Sequence, residues 1–210
     1  MRMRRMVHVL PTALVILAGA GGMVRADDGP AWHADGPTDG VQVEHRSVPG
    51  SSFDELRLSL TSTASVVRLC DAIYPKALPA KLERHFIRRD LLKQTDNDRW
   101  TYEQISVPVL SDRDYIVHTK RELDPSTGRC AVSFSTEVDP TRPPVPGFVR
   151  IPVIRGRWDI FPTEPGTVSV QYRIFSEPGG GVPAFLSRGG QRSTAIDFMK
   201  IILARAAAPP

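Results

Sequence analysis

From residue 41 to residue 175 polar and apolar positions mostly alternate, and a long helical spacing replaces that alternation only near the end of the chain. Val41 and Val43 alternate with Gln42 and Glu44, and Leu56, Leu58 and Leu60 with Glu55, Arg57 and Ser59. A two-residue period marks strands with one buried face, and Pro49-Gly50-Ser51-Ser52 between them marks a hairpin turn. A short helix follows over Ala64–Ala72, capped by Ser62 or Thr63 and broken by Tyr74-Pro75 and Leu78-Pro79. The segment 81–92 starts ambiguously and leads into a strand at Arg88–Lys93. Strands then recur around Trp100–Val107, Tyr115–Lys120 and Cys130–Val138. The four prolines of Asp139–Gly147 forbid a central strand, so that stretch is a stiff loop. Arg155–Phe161 and Val168–Phe175 form a last hairpin, with Val168, Val170, Tyr172 and Ile174 on its inner row.

Beyond Gly179-Gly180-Gly181 the pattern changes. Pro183 suits the first turn of a helix, and Ala195, Phe198, Met199 and Ile202 recur at three-and-four spacing, flanked by Ile196 and Leu203. A lone long helix after a run of strands buries its stripe on the sheet they form. The expected class is therefore α+β: a curved antiparallel sheet wrapped around a long C-terminal helix, with short helical material after the second strand. Whether sheet and helix enclose a solid or a hollow core is the functional question.

The first residues stand outside that fold. Arg2, Arg4 and Arg5 precede an apolar run over Val9–Ala20, and Val24-Arg25-Ala26 is a small-x-small cleavage site. Residues 1–26 thus read as an export signal, cleaved near Ala26, and the mature chain as periplasmic or secreted. Residues 27–39 read as a loose tail, 40–206 as one domain, and 207–210 as a second tail. The charge argument then changes. The chain has 27 Lys and Arg against 23 Asp and Glu, but residues 1–26 hold four arginines and no acids, which leaves 23 against 23. A neutral domain has no field to gather phosphates, so no nucleic-acid partner is expected. Export permits a disulfide between Cys70 and Cys130, and the readings of a bridge and of two buried thiols both stay open.

Three stretches resemble the bacterial START-domain proteins, the lipid-transfer family related to the steroidogenic acute regulatory protein. They are VPGSSFDELRLSL (Val48–Leu60), WTYEQISVPVLSDRDYIV (Trp100–Val117) and GRWDIFPTEPGTVSVQYRIFSEPGGGVPAFL (Gly156–Leu186). The resemblance implies the helix-grip fold of the START/Bet v 1-like superfamily, with a cavity between sheet and final helix for a lipid or other hydrophobic ligand. It implies binding, and often transfer, of such a ligand, and the leading expectation is a non-enzymatic monomer with no cofactor and transient membrane contact. Two features depart from the family pattern. Gly189-Gly190 sit inside the last helix, as a hinge or a simple break, and Tyr74–Arg89 lacks the usual aromatic-rich run.

Candidate cavity residues are the aromatics Trp100, Tyr102, Tyr115, Phe134, Trp158 and Tyr172, with Val117 and the helix residues Phe198, Met199 and Ile202. A hollow interior would put a few tyrosine hydroxyls in reach of a ligand. Arg113-Asp114 enters a strand, so the two side chains face opposite ways. The pair is either an ion pair at the sheet edge or a source of headgroup recognition, and Arg157 and Asp159 carry the same ambiguity. No His, Cys or carboxylate spacing suggests a metal, and neither a nucleophile elbow nor a phosphate loop occurs. A cyclase-like cavity enzyme is the alternative, and it would need His118, Asp114 or Glu103 to converge inside. A solid-cored interaction module is the third reading.

Overall fold

The structure is a computed structural model that describes residues 29–78, 86–107, 110–182 and 184–208, without the side chains of 184–188. The export signal at 1–26 and the helix-opening Pro183 lie outside the described residues. Ten strands form one sheet: β1 (His33–Thr38), β2 (Val41–Ser47), β3 (Asp54–Ser62), β4 (Phe86–Gln94), β5 (Asp98–Ile105), β6 (Arg113–Asp124), β7 (Arg129–Thr136), β8 (Val149–Arg150), β9 (Val153–Pro162) and β10 (Val168–Glu177). Their order is β1-β2-β3-β10-β9-β7-β6-β5-β4, every neighbour antiparallel, and β8 adds a short parallel pairing to β6. The first and last hairpins meet where Tyr172 of β10 pairs with Leu58 of β3 and Trp158 of β9. Helix α1 (Val66–Ile73) follows β3, and α2 (Ala184–Ala207) ends the fold.

Two local expectations are corrected. Residues 33–38 are not a loose tail but an edge strand, which accepts Pro37 because its outer side needs no partner. The cap of α1 is Ser65, whose side chain accepts from the Arg68 amide, so the helix starts two residues later than Ala64. Gly189 and Gly190 interrupt nothing: α2 runs through both.

The core sits between the helices and one half of the sheet. Leu56 and Leu58 of β3, Val132 of β7, Trp158 and Ile160 of β9, and Val170 and Tyr172 of β10 pack against Ala195, Ile196, Met199, Ile202 and Ala206 of α2. Leu69 and Cys70 of α1 join them, and a Cys70–Cys130 disulfide ties that helix to β7. Only glycine fits at 156. A Cβ there would lie 2.3 Å from Phe134 Cζ and 2.4 Å from the Arg173 carbonyl oxygen.

Candidate functional site

The pairing of β5 with β6 decides which side chains face the helix. Val132 and Trp158 stand on the core face, and register carries that face to Arg121, Thr119, Val117 and Tyr115 of β6, then to Arg99, Thr101 and Glu103 of β5. The inner face is thus apolar over β3, β10, β9 and β7, and polar over β5 and β4. Arg89 Nε donates to Glu103 Oε1 at 2.8 Å, and Thr101 Oγ1 donates to the same oxygen at 3.0 Å. Thr101, Glu103 and Tyr115 are all buried. Burial pushes the Tyr115 hydroxyl well above the ordinary phenol range, and the neighbouring Glu103 adds to the rise. Burial likewise raises Tyr172.

One turn of strand away, Arg99 and Arg121 stand over the ring of Tyr74, the C-cap of α1, with guanidinium carbons 4.2 Å and 5.3 Å from its centroid. Leu91 pairs with Thr101, on the same inner row, yet it is 51% exposed. The inner row thus passes from the buried Thr101 to a half-exposed Leu91 on the edge strand β4.

The expected site residues separate into three groups. Tyr115, Val117, Phe134, Trp158 and Tyr172 face inward. Trp158 stacks on Tyr172 at 4.0 Å, Phe198 meets Trp158 edge-on, and Met199 and Ile202 are buried between helix and sheet, so this half is packed. Trp100, Tyr102 and Asp114 are corrections: they project from the opposite, outer face. Tyr102 and Asp114 are buried because the proline-rich loop folds over that side, not because they meet α2. Arg150 donates to both Asp114 oxygens at 2.8 and 2.9 Å, and the Tyr102 hydroxyl adds a third bond at 3.0 Å. Burial drives the Asp114 carboxyl up, but these bonds outweigh it and hold it below its ordinary range. Arg113 lies inward at the sheet edge and donates to the carbonyls of Ser111 and Pro178, which anchors the glycine loop before α2.

Sequence reasoning passed over Arg89, Arg99, Thr101, Arg121 and Tyr74. Polar side chains alternating with aromatics read as the wet face of a strand, and only cross-strand register reverses that choice.

His118 sits on the outer face, stacked 4.2 Å from Trp100, between Asp98 at 2.7 Å and Glu137 at 3.2 Å. It does not meet Glu103, so the three groups a cavity enzyme would bring together are split between two faces. Among the described residues no group of three or more His, Cys, Asp or Glu could hold a metal ion. No helix among them is long and apolar enough to cross a membrane. Two open grooves of about 370 and 260 Å³ run beside the proline-rich loop, the larger walled by Tyr102, Gln104 and Pro143–Pro146.

The architecture has solved counterparts. A STAR-related lipid transfer protein from Xanthomonas axonopodis superposes with a TM-score of 0.72 at 25% identity, over 84% of this chain and 99% of that one. The chain has the helix-grip fold of START domains. Human StAR-related lipid transfer protein 5 shares the fold at 16% identity, with a TM-score of 0.73 over 87% of this chain and 88% of that one. In sequence, an uncharacterized Pseudomonas aeruginosa protein is 29% identical over 188 residues, 88% of this chain and 89% of its own length. No family model matches.

Proposed function

We propose that this START-type domain binds a lipid or another hydrophobic small molecule between the inner face of its sheet and α2, and carries it through water without catalysis. The observation that supports this most is the division of the inner face. One half is sealed by α1 and α2. The other keeps Thr101, Glu103 and Tyr115 buried yet borders the half-exposed Leu91. A ligand site of this kind combines apolar wall with a few fixed polar groups. Burying ~300 Å² of an acyl chain at ~25 cal/mol per Å² is worth about 7 kcal/mol before the losses of association, enough to hold a poorly soluble molecule. The similarity to the lipid transfer protein of Xanthomonas supports the same reading. We place the protein outside the cytoplasm, as a monomer that meets membranes briefly.

The test is mass spectrometry of organic extracts from gently purified protein, together with uptake of fluorescent fatty acid and sterol. A co-purified amphiphile or saturable uptake is expected. Empty protein that takes up neither probe overturns the proposal. A cyclase-like activity would require titratable groups converging inside, and His118 and Asp114 project away from Glu103.

A further inference from the structure

The inner polar row carries more positive charge and more donors than the described residues satisfy. Arg89 is balanced by Glu103. Arg99 is only 5% exposed, and its donors go to Gln94 Oε1 at 3.1 Å and to the carbonyl of Pro75, both neutral. Among the described residues no carboxylate lies within ion-pair reach of it. Burial lowers the pKa of Arg99, and the like charges of Arg89 and Arg121 lower it further. Among the described residues Arg121 has one acid within ion-pair reach, the half-exposed Asp71 at 3.6 Å, and its buried Nε has no acceptor. Asp98 is engaged with His118 on the outer face. Between the two guanidiniums, Tyr74 is 2% exposed and its hydroxyl is buried without a partner.

Native proteins leave few buried donors unpaired and almost no buried charge uncompensated. Here two orphan donors and an unbalanced cation meet at one end of the inner face, beside Val132, which pairs with Arg121. The geometry points to an oxyanion, a carboxylate or a phosphate group, seated among Arg99, Arg121 and Tyr74. Guanidinium groups favour oxyanions through paired, charge-assisted hydrogen bonds. The assignment rests on the lipid-binding reading for the apolar remainder of the ligand. A headgroup and free phosphate offer the same chemistry at the site.

Sodium oleate, oleyl alcohol and inorganic phosphate separate these sources, measured by calorimetry and thermal denaturation on the full mature chain. Tyr74→Phe keeps the ring under both arginines and removes only the hydroxyl, so it guards against variants that fail to fold. Arg121→Gln is the second variant. Oleate should bind at least about tenfold more tightly than oleyl alcohol, which has the same chain but no charge. Each variant should lose most of that preference while oleyl alcohol binding stays the same. Equal binding of the two, with no response to phosphate, overturns the oxyanion site and leaves the carrier reading standing. A phosphate-induced rise in Tm that Tyr74→Phe abolishes, with neither oleyl compound bound, upholds the oxyanion site and overturns the carrier. No response to any probe overturns both.

Discussion

Removing the Cys70–Cys130 disulfide is the sharpest test of how α1 is held. The bridge spans 60 residues of chain. Closing a loop of that length removes unfolded-state entropy worth about 4 kcal/mol in the chain-entropy model. Replacing both cysteines by alanine keeps the site apolar and leaves no orphan donor. In a domain of this size each kcal/mol corresponds to roughly 2–4 °C, so Tm should fall by about 10 °C. Urea denaturation followed by circular dichroism gives the free energy directly. Wild-type protein in dithiothreitol should track Cys70→Ala/Cys130→Ala, and both should keep a single transition. The reasoning fails if the double variant stays within about 1 kcal/mol of the oxidised wild type. The packing of Leu69 and Ala72, both buried on α1, would then fix the helix without the covalent tie.

Four further substitutions read different parts of the fold. Gly156→Ala should destabilise by about 3 kcal/mol in the same urea assay, since the Arg173 carbonyl 2.4 Å from the new methyl belongs to a paired strand and cannot yield. Gly189→Ala and Gly190→Ala should each stabilise by about 0.5–1 kcal/mol, because a Cβ at either meets nothing within 4 Å and glycine is costly inside a helix. Arg150→Met leaves the fully buried Asp114 without its cation and should cost about 3 kcal/mol at neutral pH. The sign with pH is fixed by the direction of the shift. In the wild type the lowered Asp114 pKa contributes stability above the ordinary value of 3.8, lost as pH falls through the folded value. In the variant only the Tyr102 hydroxyl and the Val145 backbone bond still oppose burial, so that pKa should rise relative to the wild type and the penalty should shrink on acidification, as denaturation between pH 7 and pH 3 would show.

The strand alternation and the terminal helix were legible because both report burial directly. Leu56, Leu58, Val170, Tyr172, Met199 and Ile202 face the core as their spacing requires. The site was less legible. On β5 the aromatics Trp100 and Tyr102 alternate with Thr101 and Glu103, and hydrophobic patterning assigns the aromatics inward. Two devices defeat that rule. The proline-rich loop buries the outer face over Tyr102, and Arg150 satisfies Asp114 beneath it. Meanwhile the inner face accepts Glu103 because Arg89, from a strand whose register no local pattern specifies, pairs with it. Residues 33–38 were missed for a related reason: an edge strand with Gly36 and Pro37 has the composition of a loop.

The placement of contacts along α2 predicts which part of it can move. From Ala195 onward the helix buries Ala195, Ile196, Met199, Ile202 and Ala206 in the core. The strap of β1 reinforces that section: Arg192 reaches Asp35 at 3.1 Å and Thr38 at 2.9 Å, and Lys200 reaches Asp39 at 2.5 Å. Before Arg192 the described side chains, those of 189–191, make fewer holds. Gln191 donates to the Ser176 carbonyl, Gly189 and Gly190 are exposed, and Gly179, Gly180 and Gly181 all adopt a positive φ in the loop that leads into the helix. Surface ion pairs contribute at most about 1 kcal/mol each, so burial sets the boundary and the strap sharpens it. Hydrogen exchange should therefore divide α2 near residue 191. Amides of 188–191 should exchange at least about 100-fold faster than those of 199–203, which exchange only with global unfolding. Ligand entry under a hinged first section of helix needs that gradient, and uniform protection from Ala184 to Ala207 would leave α2 a rigid cover and move the entrance to the open edge along β4.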